Sequence, residues 1–182
     1  MALSSGTKGF YFRKNMVGGD DHPPYADFIL ANSQTVTLGD AVTLSSGFAA
    51  VCSTNDRPIG IVDSIVDFNG LPVNGFNSHA TQTGTVTGDD TYASASDNQT
   101  VDQVKVRVSM YRPMDLYYND ADDTLAQANI GTYFDMNSTG DNIDVASGTT
   151  SGVWQLMEID PDNDGDASKG LFRIAEPYWK TV

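Results

Sequence analysis

The acidic residues of this chain are 22 Asp and only 2 Glu. Glu is the acid of helix interiors, whereas Asp competes for nearby backbone hydrogen bonds and settles in turns and caps. Together with 17 Thr, 15 Ser, 12 Asn, 17 Gly and 7 Pro, Asp makes up half of the 182 residues. Such a composition excludes long helices and predicts an all-β chain of short strands and many turns. The length corresponds to roughly one domain with a core of its own.

Period-two patterning places the strands. The clearest is Val101 to Met110, where Val104, Val106, Val108 and Met110 share one face, with Lys105, Arg107 and Ser109 on the other. Further strands are read at Thr35 to Leu38, Ala41 to Leu44, Phe48 to Cys52, Ile59 to Phe68, Thr132 to Met136, Ile143 to Val145, Val153 to Ile159 and Leu171 to Ala175. The last two flank Asp160 to Gly170 and read as a hairpin with an acidic tip. Thr81 to Ala95 reads as an exposed hairpin around Gly88-Asp89-Asp90, and Asn69 to Ser78 as a long loop. Asp120 to Gly131 is the sole helix candidate, one or two turns long, with Asp at its start and Gly as its stop. No internal repeat is legible. The paired glycines and prolines between Gly18 and Pro24 divide an extended N-terminal arm, residues 1–27, from a β body, residues 28–182.

Several classes of chemistry lack their residues. Cys52 is alone, so neither a disulfide framework nor a cysteine metal cluster is available, and its apolar surroundings read as a buried thiol. His22 and His79 have no ligand partners in metal spacing, no G-x-S-x-G elbow occurs, and the glycine pairs lack the strand-to-helix setting of a phosphate loop. No catalytic residue is therefore assigned, and the expectation is a chain that is not an enzyme and has no cofactor. The first residues carry no apolar signal segment and no stretch reaches membrane-spanning length, which predicts folding in a cytoplasm without a membrane partner. A net charge of -14 opposes nucleic-acid binding.

The charge is uneven. Lys8, Arg13 and Lys14 precede the first acid, Asp20, and surround Phe10-Tyr11-Phe12; Tyr178-Trp179-Lys180 stands near the other end. Aromatic rings and cations at chain ends need something to hold them, either a partner surface or the body of the same protein. On the first reading Lys8, Phe10, Tyr11, Phe12, Arg13 and Lys14 form a docking arm, and Tyr178 and Trp179 contact a partner or a second copy. The segment Asp160-Pro161-Asp162-Asn163-Asp164-Gly165-Asp166 opens like a calcium loop, with Asp160, Asp162 and Asp164 as candidate ligands. Its twelfth position is Leu171 instead of a bidentate carboxylate, so a solvated acidic tip is the competing reading.

Leu38-Gly39-Asp40-Ala41-Val42-Thr43-Leu44, followed by Arg57-Pro58-Ile59-Gly60-Ile61-Val62, resembles the rhythm of tailed-bacteriophage head decoration (capsid cement) proteins and related virion structural proteins. Leu125 to Asp135, Gly152 to Pro161 and Leu171 to Ile174 are similar to the same group. The resemblance implies a single small β-barrel or β-tulip-like domain. It implies attachment to the outside of an expanded phage head, where such proteins hold major capsid proteins together, often as homotrimers. The implied location is the outer capsid surface of a virion, after synthesis in the host cytoplasm. Two alternatives stay open: a tail or head-tail structural protein, and a calcium-dependent or carbohydrate-binding module that uses the Asp160 loop and exposed rings such as Trp154 or Trp179.

Overall fold

β-branched and aromatic runs separated by turn residues give strands and almost nothing else in the computed structural model of the chain, which describes residues 9–17, 22–54, 56–73, 84–86, 91–112, 114–137, 141–149 and 152–175. The strands are β1 (Tyr11–Asn15), β2 (Tyr25–Ile29), β3 (Thr35–Thr37), β4 (Ala41–Ser45), β5 (Phe48–Val51), β6 (Gly60–Val66) and β7 (Thr85–Val86). They continue with β8 (Thr91–Ala93), β9 (Lys105–Met110), β10 (Asp115–Asp120), β11 (Tyr133–Met136), β12 (Ile143–Thr149), β13 (Trp154–Ile159) and β14 (Lys169–Ile174). The protein is all-β, as its composition predicts.

The chain gathers into two compact units instead of an arm and one body. The first comprises residues 1–22, 53–57 and 112–182, and the second residues 23–52 and 58–111. In the first, the sheet order is β1-β10-β14-β13-β11-β12; in the second it is β2-β9-β6-β4-β5, beside a small sheet β3-β8-β7. The expected acidic hairpin is β13-β14, and the hairpin around residue 88 is β7-β8, its tip outside the described residues. The second unit's core is Leu30, Val36, Val42, Val62, Ile65, Val104, Val106 and Val108 with their neighbours, so the predicted inward face of β9 is the buried one.

Both units are copies of one strand pattern. Take the strands of each unit in chain order, leaving β1 and the small sheet aside: in both, the first lies beside the fifth, then the fourth, second and third. The registers coincide at the pairs that follow, and differ between β11 and β12, where a shift between Tyr133 and Asp135 has no counterpart between β4 and β5. Val42 faces Gly60 as Phe134 faces Trp154. Val62 faces Val108, and after a bulge Ser64 faces Arg107, as Leu156 faces Phe172 and Glu158 then faces Leu171. Ala26 faces Val108 as Tyr117 faces Phe172. A parallel bridge joins the outer strands in each copy, Leu30 to Ala49 and Ala121 to Ile143.

This repeat overturns the expectation of none, because the backbone repeats while the side chains do not. Where one copy has Ala26 and Gly60 the other has Tyr117 and Trp154; where one has Phe28 and Val106 the other has Asn119 and Gly170. Residues 67–104 join β6 to β9, whereas residues 160–168 join β13 to β14, so no constant sequence period survives.

Two local expectations also change. The helix read at Asp120 to Gly131 is a single 3-10 turn, Gln127–Asn129. Its proposed first residues are drawn into strand pairing, since the Asp122 N–H donates to the Ile143 carbonyl at 3.0 Å and the Asp122 carboxylate accepts from the Val145 N–H at 2.9 Å. Strand β10 carries no readable alternation, yet every residue from Asp115 to Asn119 is buried. It is an interior strand with neighbours on both edges, which removes the polar outward face that alternation needs.

Candidate functional site

The basic aromatic segment is tied to the first unit. β1 pairs antiparallel with β10, Tyr11 facing Tyr118 and Phe12 facing Tyr117, with a bulge before Lys14. Alternation sends Phe10 and Phe12 to one face of the sheet and Tyr11 to the other. Phe10 is buried and stacks on Trp154, ring centroids 4.1 Å apart at 18°. Trp154 meets Tyr117 edge-on at 6.3 Å, and Tyr117 meets Phe12 the same way at 6.0 Å. On the opposite face Tyr11 stacks on Tyr118 at 4.7 Å, over Leu116 and Leu171. Burial of a ring such as Phe10 stabilises the strand by about 2–3 kcal/mol, so this segment is an integral edge strand.

Its cations are engaged as well. Arg13 pairs with Asp162 at 3.0 Å and Lys14 with Glu158 at 3.4 Å, both at the surface. A docking arm of free cations and free rings is thus replaced, for Phe10, Tyr11, Phe12, Arg13 and Lys14, by a strand whose side chains have partners within the same unit. Lys8, Tyr178 and Trp179 lie outside the described residues, as does His79. His22 is exposed, its ring 6.0 Å from that of Phe12. Cys52, the sole cysteine of the sequence, is buried and forms no disulfide. Beyond the strand, Met16 and Val17 are exposed.

Beneath β1 lies a polar group that the sequence did not single out. The Asp115 carboxylate is fully buried and accepts from Asn15 Nδ2 at 2.9 Å, Arg112 Nε at 3.0 Å and Arg112 Nη2 at 3.2 Å. The Tyr117 hydroxyl reaches it at 3.4 Å. The Arg112 guanidinium also lies 5.8 Å from the Phe12 ring centroid, a cation-π distance. Burial first, and the Asp115 charge next, push the Tyr117 hydroxyl pKa well above its usual range. The Tyr118 hydroxyl is likewise pushed up to about 12, chiefly by burial. Both rings therefore stay neutral and serve as packing surfaces.

The acidic tip does not gather its carboxylates around one point. Asp160 folds back on its own loop, accepting from the N–H groups of Asp164 at 3.0 Å and Gly165 at 2.9 Å. Asp162 holds Arg13, while Lys169 Nζ binds Asp164 at 2.6 Å and Asp166 at 3.2 Å. Among the described residues no cluster of three or more His, Cys, Asp or Glu is placed to hold a metal ion. The arrangement is a turn stabilised by its own side chains. Trp154, offered as an exposed ring for a carbohydrate module, is buried in the aromatic stack instead.

No family model, no curated protein and no solved structure matches the chain.

Proposed function

We propose that the protein is a non-enzymatic structural component of a virion, attached to the outside of an expanded bacteriophage head, where it stabilises contacts between major capsid proteins. The observation that carries this reading is the doubled strand pattern. Residues behind the resemblance to decoration proteins make matching cross-strand contacts in the two copies, Gly39 to Val62 and Val42 facing Gly60 in one, Gly131 to Leu156 and Phe134 facing Trp154 in the other. A shell clamp must span neighbouring subunits, and two like units in one chain offer two points of attachment that reinforce each other without high affinity at either. The acidic surface supports the reading too, because shell-coating proteins must stay soluble when crowded.

Co-sedimentation tests it. Purified protein mixed with expanded heads lacking it should bind saturably, with little binding to unexpanded shells. Equal binding to both, or to neither, removes the decoration role, and binding to isolated tails would move the protein to the tail.

A further inference from the structure

Strand β1 is the part of the first unit's sheet that the doubled pattern leaves over. In the second unit the counterpart of β10 is β2, which ends its sheet among the described residues, so the five common strands assemble there without a sixth. An end strand at this position is a state that the fold tolerates, and β1 is an addition to it.

β1 is itself an edge, paired with β10 alone. Its hold is made by side chains: Phe10, just ahead of it, stacks on Trp154, Tyr11 stacks on Tyr118, Arg13 pairs with Asp162 and Lys14 with Glu158. All of those partners come after residue 111, with the whole of the second unit's sequence in between. None of the contacts requires that both sides belong to one chain.

Charge points to the surface that suits a displaced β1. Residues 1–14 carry three basic groups and no acid, a net +3, while the remaining residues hold 7 basic groups and 24 acids, a net -17. The bodies of two copies repel each other, whereas the N-terminal strand of one is attracted to the body of the next. Residues 16–24, which join β1 to β2, include Gly18-Gly19 and Pro23-Pro24 and reach about 30 Å when extended, enough to carry β1 to a neighbour.

We infer that β1 is exchanged between copies: the β10 edge of each chain takes the β1 of a second copy, with Phe10 set against Trp154 and Arg13 against Asp162 across the boundary. The donated strand and the accepting edge are different surfaces, so the contact is heterologous, and in a closed assembly each copy gives one strand and receives one. The bonds are the same within and between chains, so local concentration decides between the two arrangements. The inference stands on β1 and β10 alone and survives if the virion reading falls.

The test uses two full-length variants, Arg13→Cys and Asp162→Cys, each also carrying Cys52→Ala to remove the native thiol. They are mixed at high concentration, incubated, diluted and treated with a short bis-maleimide, and linked peptides are identified by mass spectrometry. Because the two thiols lie on different chains, a link from position 13 to position 162 forms only across copies. That link is expected to grow with incubation and with protein concentration, reaching about half the yield of a double variant carrying both thiols, the chance that a body receives a thiol-bearing strand. No such link between the single variants, with the double variant linked only within one chain, would overturn the proposal. So would links between like positions alone, which mark association through another surface, or a yield that is complete on mixing and does not grow, which marks collision.

Discussion

The Gly39 N–H donates to the Val62 carbonyl at 2.8 Å, and the Gly131 N–H donates to the Leu156 carbonyl at 2.8 Å. Both glycines have positive φ, 91° and 86°, and each opens the strand that follows it. The match marks the start of the second strand in the two copies of the pattern. Glycine suits both places because the backbone must adopt a left-handed conformation immediately before a ladder begins.

Two glycines of the first unit should respond differently to alanine. At Gly131 a Cβ meets nothing within 4 Å, so Gly131→Ala costs only the φ strain, about 1 kcal/mol. At Gly152 it would lie 2.6 Å from the Phe134 carbonyl oxygen, which is backbone and has no room to retreat. Gly152→Ala should cost about 3 kcal/mol. Urea midpoints of the two variants check the order, and equal losses would place the β11-β13 contact wrongly.

Phe10→Ala should destabilise the protein by about 4 kcal/mol, because it removes a buried ring stacked on Trp154. Phe10→Leu should recover most of that. Removal of residues 1–14 uncovers Trp154 and the β10 edge, so it should lower the thermal midpoint and increase dye-detected apolar exposure. An unchanged midpoint would mean that β1 is dispensable to the fold.

Asp160 has φ 46°, a conformation that Asp and Asn tolerate better than Ala. Asp160→Asn keeps the conformation and one of the two acceptor oxygens, so it should cost less than Asp160→Ala, which should lose about 1 kcal/mol, the loop N–H groups being open to water. Calcium and a chelator should give the same melting midpoint. A saturable rise with calcium would show that the carboxylates leave Arg13 and Lys169 to meet an ion.

Acid should destabilise the fold as pH falls below about 4. Arg107 holds Asp27 below the usual carboxylate range, Lys169 does the same for Asp164, and the Ser168 hydroxyl for Asp166. The unfolded chain takes up these protons first, so each contributes stability above its unfolded pKa that is lost as pH drops through the folded one. Asp120, raised by burial, acts in the opposite sense. Lys169→Met should flatten the acid limb by releasing Asp164, while Asp166 stays held by Ser168. Denaturant midpoints measured from neutral pH to about pH 2 check the slope.

Local patterning determined the all-β class, the inward face of β9, the β13-β14 hairpin and the burial of Cys52, since each follows from residue types a few positions apart. Tertiary structure alone decided the rest. Tyr11 and Tyr118, or Arg13 and Asp162, are more than a hundred positions apart, and only the register between β1 and its neighbours makes an edge strand out of an apparent arm. Strand β10 hid its role because an interior strand that buries Asp115 and Asn119 breaks alternation. The repeat stayed hidden for a related reason. Backbone hydrogen bonds carry it, and those bonds do not depend on whether Gly60 or Trp154 occupies the site, so long as the surrounding core adjusts its volume.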